Sequence, residues 1–409
     1  MLSEIDVENL IQPFADRQKA IEEYIINLIA KRVKEIGTML PSDIYKLERL
    51  LKTGSDVREI NKALARLTGL QEYQIKQVIK EVASDSYQDA KPFYDYRHKP
   101  FIPLMQNEPL ATVIEAIGLQ TIAEYKNLAN SKMIGFIIRD LRHPNKLRFY
   151  NVQQTYKTVL DEAIQAVQSG VMDYNSAMRR TLKQLNNSGL KRMYWDSGYS
   201  QRLDSAVKRN ILDGVRQINQ EVHKITGEQF GADGYEITAH SLPAPDHAQF
   251  QGHMLAKAQY EKLQSSQDFV DVNGKHFAGV ERVLCQWNCK HFAYPVILGV
   301  SKPKYTDKQL QQILDNNEKG ATIGGKHYTG YELTQRQNEL ALKVRQMKDG
   351  QIMAVNAGDM ELAKQYQSKV SQWTKRYNAF NSKVAEQMPN WSSRKDKLTV
   401  SGYKRIKAA

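Results

Sequence analysis

Helical periodicity is the feature that most constrains the fold of this chain. Between Lys19 and Ile36 the apolar side chains follow the i, i+3, i+4, i+7 spacing of one buried helix face: Ile21, Tyr24, Ile25, Leu28, Ile29 and Val33. The same period recurs in most segments as far as residue 230, including a long one from Leu203 to Thr226. It predicts a mainly α protein with a helical N-terminal half.

Breaks in this pattern divide the N-terminal half. Helix-starting and helix-breaking residues at Pro41, at residues 53–56 and at Thr68-Gly69 separate four short helices, which we predict to form an N-terminal helical bundle over residues 1–84. Residues 85–105 contain three prolines and five aromatic residues. This composition predicts an extended connector, followed by long helices, over residues 85–230.

The period changes from about 3.6 to 2 after Gly231. Tyr235 to Ala239 alternates apolar and polar side chains, and Phe292 to Val300 is an apolar run. Asn273-Gly274 lies between two strand-like segments and suits the positive φ angles of a type I′ hairpin turn. These signals predict a small α+β central domain over residues 231–300.

The C-terminal part, residues 301–409, returns to a helical pattern. Thr306 to Gln309 has the form of a capping box, and a helix from Glu332 to Lys348 is predicted to stop at Asp349-Gly350. A second helix, opened by Asp359, has a near-heptad seam of Leu362, Tyr366, Val370, Trp373, Tyr377, Phe380 and Val384. The seam predicts a helical hairpin or a partner helix, and ordinary packing of two helices is the simpler interpretation.

Positive charge is concentrated in this last part. Residues 301–409 carry 15 Lys and 5 Arg against 10 acidic residues, a net charge of +10 out of +13 for the whole chain. Such asymmetry favours a polyanionic partner such as double-stranded DNA, contacted without sequence reading, although a merely solvated surface is an alternative. Aromatic residues are interleaved with the basic residues of the tail, which makes candidate nucleic-acid contacts of Arg394, Lys395, Lys397, Lys404, Arg405 and Lys407.

Five of the nine histidines and both cysteines lie between residues 240 and 291. Cys285, Cys289 and His291 fall within seven residues, and Asp246 or His247 could supply a fourth ligand from the other end of the domain. These donor types suit a tetrahedral zinc site, for which a structural role is the more natural in so small a domain. The alternative is that the cysteines and histidines are packed core residues without a metal.

The same cluster leaves an enzymatic alternative open. A metal-dependent nuclease or other hydrolase could use Asp246, His247, Cys289 and His291, or Asn288 with the two histidines on a ββα-like frame. A Cys–His nucleophile pair would need an orienting third group and an oxyanion pocket. The chain has no GxxxxGK[ST], GxGxxG, HExxH or GxSxG motif, so those enzyme classes have no support from its motifs.

Composition also bears on location. Two cysteines in 409 residues exclude a disulfide framework and suggest a reducing compartment. The longest apolar run, Met133 to Ile138, is far below the roughly 18–20 residues that span a bilayer. Because the first six residues lack a signal-peptide pattern, we expect a chain made in the cytoplasm with no membrane partner.

Two stretches resemble a known family. Residues 241–252, SLPAPDHAQFQG, are similar to the SxxRPDHAxWQG stretch of the phage minor capsid protein 2 family, and residues 284–295 to its LCGWNCRHxxYP stretch. Residues 202–210 and 231–233 are similar to the long helix and the GAD segment that precede them. The chain departs from the family pattern at Ala244, Phe250, Gln286 and Lys290.

The resemblance implies a structural minor head protein of a tailed bacteriophage, present in few copies near the portal and serving head assembly, DNA packaging or DNA delivery. Its expected partners are the portal protein, other capsid proteins and double-stranded DNA. Its expected place is the virion head, after assembly in the host cytoplasm. The resemblance makes Asp246, His247, Cys289 and His291 the preferred site. Ala244 lacks the planar guanidinium of the family's arginine, which favours a structural over a catalytic role.

Overall fold

The computed structural model describes residues 4–36, 55–129, 132–140, 143, 145–169, 171–194, 197–265, 269–270, 276–277, 284, 289, 291–400 and 402–406. The N-terminal body, the described part of residues 4–230, is built mainly from six helices: α1 (Glu4–Ile36), α2 (Ser55–Tyr96), α3 (Glu108–Leu128), α4 (Val152–Gln168), α5 (Tyr174–Ser188) and α6 (Leu203–Phe230). Helix α6 is the central element, since α1, α2 and α3 all pack against it. The mainly α prediction is confirmed.

Close packing around α6 depends on small residues. A Cβ atom added at Gly214 would lie 2.5 Å from the hydroxyl oxygen of Thr121, so glycine allows α6 to approach α3. Val207, Ile211 and Val215 are buried on the same face of α6. The long helix predicted from Leu203 is therefore confirmed, and its buried face organises the body.

A four-stranded antiparallel sheet interrupts the helices of the body. Its strands are β1 (Ile134–Arg139), β2 (Leu147–Asn151), β3 (Lys191–Tyr194) and β4 (Tyr199–Arg202), in the order β2-β1-β3-β4. The expectation that residues up to 230 are almost entirely helical is wrong here. The four strands have only 4 to 6 residues each, too few for a clear period. The hairpins β1–β2 and β3–β4 are joined by pairing of β1 with β3, which lie more than 50 residues apart in sequence.

Helix α2 is longer than the sequence pattern predicts. It runs unbroken through Thr68-Gly69 and contains Pro92, so the predicted break and the extended connector at 85–96 are both wrong. Tyr87 and Tyr94 continue the buried face, and Tyr87 stacks on Phe101 at 4.3 Å between ring centroids. Tertiary packing of these rings overrides the proline. The helix predicted after Pro41 lies outside the described residues, and the division of the chain into four segments stays a prediction.

The central module, residues 231–300, has the predicted α+β character. Strands β5 (Gly234–Ile237), β6 (Met254–Ala256) and β9 (Ala293–Val296) form an antiparallel sheet in the order β6-β5-β9, with helix α7 (Lys257–Gln264) beside it. Strands β7 (Phe269–Val270) and β8 (His276–Phe277) form the predicted hairpin, whose turn lies outside the described residues. Alternation along β9 places Phe292 and Tyr294 in the core of the body and Ala293 in the core of the module.

The C-terminal arm, the described part of residues 301–406, is a helical hairpin with a small β-ribbon. It contains α8 (Asp307–Lys319), β10 (Ala321–Ile323), β11 (Lys326–Tyr328), α9 (Gly330–Asn356) and α10 (Met360–Gln387), with a final 3-10 turn at Lys395–Leu398. The capping box is confirmed, because Thr306 and Gln309 exchange side chain to backbone hydrogen bonds. The seam is buried as predicted, with Trp373 partly covered.

Helix α9 continues past Asp349-Gly350, where a stop was predicted. A Cβ atom at Gly350 would lie 2.4 Å from the ring of Tyr366, so this glycine serves helix packing rather than termination. Asp349 is buried and its carboxylate accepts a hydrogen bond from the Lys19 ammonium of α1 at 2.9 Å. In the turn of the hairpin, Asp359 pairs with Arg179 of α5 at 3.1 Å. The arm is thus docked on the N-terminal body.

The tail returns along the hairpin instead of leaving it. The Trp391 indole donates a hydrogen bond to the Asn381 side chain at 2.7 Å, and the Gln351 amide donates to the Lys404 carbonyl at 2.9 Å. The backbone N–H of Ile406 donates to the Gln367 amide oxygen at 2.6 Å. Among the described helices, none is long and apolar enough to cross a bilayer.

Candidate functional site

A loop between β5 and β6 positions the first residue of the candidate site. The backbone N–H of His247 donates to the carbonyl of Ala244 at 3.1 Å, and that of Phe250 donates to the carbonyl of His247 at 3.2 Å. Phe250 is fully buried in the module core, and Gly252 has a positive φ of 72° where the loop turns back into β6. These turns and the anchoring ring hold His247 over the sheet.

Cys289 and His291 reach the same place from the segment before β9. The Cys289 Sγ atom lies 3.3 Å from His247 Nδ1 and 3.3 Å from His291 Nδ1. The three side chains are 2%, 2% and 3% exposed for His247, Cys289 and His291. We call them the thiol–imidazole cluster. The structure therefore brings together residues 42 positions apart, as the metal-site prediction requires.

The other predicted ligands are placed differently. Asp246 Oδ2 lies 3.5 Å from His247 Nε2, so it faces the ring nitrogen that points away from the thiol. His240 packs its ring on His291 at 4.5 Å between centroids, a neighbour that the sequence did not single out as a ligand. Cys285 and Asn288 lie outside the described residues. Asp246 thus orients His247 rather than joining the cluster.

The geometry of the cluster suits a metal ion. One ligand atom from each of the three residues lies within 4.8 Å of the others. For tetrahedral zinc, bonds of about 2.3 Å to sulfur and about 2.0–2.1 Å to nitrogen imply a sulfur–nitrogen separation of about 3.5 Å. The observed 3.3 Å for both Sγ–Nδ1 pairs differs from this by a few tenths of an ångström. Both sulfur–nitrogen separations are therefore close to those of a zinc centre, and the two imidazole nitrogens lie within 4.8 Å of each other.

A cavity of about 460 Å³ lies between the cluster and the C-terminal arm. All three cluster residues line one side of it, while Trp391, Arg394 and Lys397 are among the residues on the other. The cluster is consequently buried but adjoins a space large enough for a small ligand. Chemically, the site offers a thiol held between two imidazoles, one of which is backed by a carboxylate.

The predicted nucleic-acid residues of the tail do not form one patch. Arg394 makes a two-pronged ion pair with Asp396, at 3.1 Å and 3.0 Å, and Lys397 donates to the Asn338 side chain at 2.7 Å. Both cations line the cavity described above. The remaining described members are exposed, namely Lys395, Lys404 and Arg405, whereas Lys407 lies outside the described residues.

A stronger cationic surface lies on helix α10 and was missed from the sequence. We call it the basic face, and all of its cations are exposed: Lys364, Lys369, Lys375, Arg376 and Lys383. The only acidic residues of α10 are Glu361 and Glu386, near its two ends. The acid-free run from 362 to 385 is the sequence signal for this surface.

A groove of about 610 Å³ runs between α10 and the returning tail. Its lining contains three cations, Lys348, Lys375 and Arg405, and no acidic residue. The hydroxyl and amide side chains that accompany them are Ser371, Thr374, Asn378 and Ser382. Burial lowers the pKa of Lys348, whose ammonium donates to the Leu398 carbonyl at 2.7 Å. The groove joins the basic face to the tail cation Arg405.

Comparison with known proteins assigns the family. The family model of phage minor capsid protein 2 matches residues 3–381 of the chain. That range covers the N-terminal body, the central module and most of the arm, so the chain belongs to the phage minor capsid protein 2 family. It is a structural component of a phage capsid, its partners include other capsid proteins, and its place is the virion. No curated protein and no solved structure matched the chain.

Proposed function

We propose that this capsid protein sits near the portal of the phage head, supports head assembly and DNA packaging or delivery, and contacts double-stranded DNA without reading its sequence. The single observation that carries the DNA contact is the basic face of α10, with five exposed cations and acids only near its two ends. The exposed tail cations Lys395, Lys404 and Arg405 extend the same contact, together with Lys407.

The size of the basic face suits a DNA backbone. From Lys364 to Lys383 the helix rises about 28 Å, at about 1.5 Å per residue. That length corresponds to about eight phosphates of one DNA strand, at about 3.4 Å each. Lysine and arginine contacts to phosphates position a protein on DNA but do not specify a sequence. The basic face therefore supports non-specific contact.

Salt-titrated DNA binding tests the proposal. The variant Lys369→Gln, Lys375→Gln, Arg376→Gln removes three cations from the basic face. At about 0.9 per phosphate contact, the slope of log affinity against log salt should become shallower by up to about 2.7. Binding to a mixed-sequence duplex should weaken at least tenfold at low salt.

A matched control uses exposed lysines elsewhere on the arm. The variant Lys302→Gln, Lys308→Gln, Lys326→Gln removes the same charge away from α10. It should keep most of the wild-type slope. If wild type and both variants have the same slope of log affinity against log salt, contact through the basic face is refuted. If both variants lose the same amount of slope, the effect reflects net charge alone.

The portal contact has its own test. We assign docking on the portal to the helical N-terminal body. Full-length protein should co-purify with portal rings of the same phage, and the basic-face variant should co-purify equally well. Failure of wild-type protein to bind assembled rings at micromolar concentration would remove the portal part of the proposal.

A metal-dependent nuclease or other hydrolase is the second candidate function. The observation that favours it is the cavity, which brings the thiol–imidazole cluster and two cations, Arg394 and Lys397, to one space. An assay with zinc, manganese or magnesium and plasmid DNA separates the two candidates. The structural proposal expects intact DNA, whereas cleavage that Cys289→Ser or His291→Ala abolishes would establish the hydrolase.

A further inference from the structure

We propose that Cys289, His247 and His291 bind one zinc ion in the central module, and that the fourth coordination position opens into the adjoining cavity. This inference does not depend on DNA contact, on portal docking or on any hydrolytic activity. It identifies a metal centre, its three protein ligands and the direction from which a further ligand reaches it.

The donor set is the first argument. A cysteine sulfur and two imidazole nitrogens are ligands that zinc prefers. Both Nδ1 atoms lie 3.3 Å from the same Sγ, so the thiol is shared equally by the two rings. A Cys–His nucleophile pair needs only one base, whereas a metal centre explains why two imidazoles flank one thiol.

Asp246 supplies the second argument. Its carboxylate lies 3.5 Å from His247 Nε2, on the side of the ring opposite the thiol. A zinc-bound histidine commonly donates its other N–H to a carboxylate, which fixes the tautomer and the orientation of the ring. Asp246 is therefore in place to keep His247 Nδ1 unprotonated and directed at the metal position.

The construction of the module is the third argument. Only seven buried side chains form its own core among the described residues, and Cys289 is one of them. The loop that carries His247 contains turns and no regular strand or helix between Ile237 and Met254. A zinc ion would tie this loop to the segment that leads into β9 and so add a cross-link to the module.

The open position follows from the surroundings. Among the described residues, no fourth histidine, cysteine or acid joins the three-atom group, and Asp246 faces the distal ring nitrogen. The cluster lines the cavity, whose other walls include Lys319, Arg394 and Lys397. Zinc with one thiolate retains a positive charge, and Lys319 and Lys397 add to it, so a small anion or a water molecule suits the fourth position.

Elemental analysis of full-length protein expressed with zinc is the primary test. We expect about one zinc per chain, because one thiolate and two imidazoles supply the three protein ligands that an open zinc site uses. Cys289→Ser and His291→Ala should lower this below about 0.2, while His253→Gln, a change in a histidine of the same loop, should retain it. Zinc below about 0.2 in wild-type protein would overturn the centre.

Cobalt substitution tests the same point without relying on variants that fail to fold. Co²⁺ bound to the wild-type protein should show a thiolate-to-metal charge-transfer band and intense tetrahedral visible bands. Azide should shift the visible bands if the fourth position is open to small anions. Absence of the charge-transfer band would overturn the ligand set, and bands that azide leaves unchanged would overturn the open position.

Cys285→Ser separates an open centre from a closed one. We expect this variant to keep one zinc and the azide response, since three ligands suffice. If it loses the metal, Cys285 is the fourth ligand and the open position is refuted. In this variant, iodoacetamide should modify Cys289 only after chelation; rapid alkylation beforehand would instead show a free nucleophile and overturn the zinc centre.

Discussion

The N-terminal body and the central module are stabilised in different ways. The body has a continuous apolar core that includes Phe14, Tyr125 and Phe136, and this core extends into the hairpin of the arm. Among the described residues, the module has a separate apolar cluster of seven side chains, which includes Phe250 and Cys289. The body is stabilised by apolar burial, whereas the proposed zinc ion would add a cross-link at the polar centre of the module.

Metal removal should produce the largest difference between the two regions. Chelation, or Cys289→Ala, should destabilise the module by more than about 5 kcal/mol, below the roughly 10–16 kcal/mol of zinc-finger peptides because the module keeps an apolar core. Hydrogen exchange should then lose protection in β5, β6 and β9 while α6 stays protected. Unchanged protection in these strands would contradict the comparison.

Truncation of a buried phenylalanine in each region should show the same difference between the body and the module. Phe136 and Phe250 are both fully buried, the first in the body and the second in the module. Replacement of either by alanine should cost about 3–5 kcal/mol. Phe136→Ala should lower the midpoint of the main denaturant transition, whereas Phe250→Ala should affect exchange in the module alone. One shared transition that both variants move equally would mean that the two cores unfold together.

A pair of glycines compares helix packing inside the arm with an unconstrained helix position in the body. Gly350→Ala would place a Cβ 2.4 Å from the Tyr366 ring, and such overpacking should cost about 1–3 kcal/mol. Gly118 lies inside α3 with nothing within 4 Å of an added Cβ, so Gly118→Ala should stabilise by about 0.5–1 kcal/mol. Thermal unfolding of both variants measures the contrast, and a stabilising Gly350→Ala would contradict the packing of α9 on α10.

Sequence patterns predicted the features that depend on local spacing. The caps at Thr306 and Asp359, the seam of α10 and the strands around Asn273-Gly274 all follow from neighbouring residues, and the structure confirms them. The sheet of the body could not be predicted in this way, because β1 pairs with both β2 and a strand more than 50 residues away. Pro92 within α2 shows the same override of local propensity by packing.

The candidate site, too, could be predicted from the sequence only in part. Residue type and motif order indicated His247, Cys289 and His291, and the fold places them together. The position of Asp246 behind His247 depends on the turn at Ala244, which motif order does not reveal. Prediction of the basic face of α10 requires knowledge of which side of the helix the seam buries. The five cations are then seen to share the exposed side.

Proton-linked stability should sharpen the comparison further, because the two groups concerned both lie in the body. Burial lowers the pKa of His223 to about 3, so the folded state binds fewer protons than the unfolded chain below pH 6.5. The free energy of unfolding is therefore unaffected by His223 protonation above pH 6.5 and decreases as the pH falls below that value. Burial, with the nearby carboxylate of Asp349, raises the pKa of Glu23 to about 7 from 4.5.

The two shifts act in opposite directions. Because the folded state holds the Glu23 proton longer, stability falls as the pH rises from about 4.5 to about 7. Glu23→Gln should match wild type at pH 4 and exceed it at pH 8, and His223→Gln should lose the decline on acidification below pH 6.5. Denaturant unfolding between pH 4 and 8 measures both. Since Glu23 lies outside the module, exchange in β5 and β9 should respond to chelator equally in wild type and in Glu23→Gln. A chelator response that Glu23→Gln altered would join the two regions into one cooperative unit. His223→Gln does not serve this comparison, because the His223 ring packs against Tyr294 of β9 at 4.6 Å.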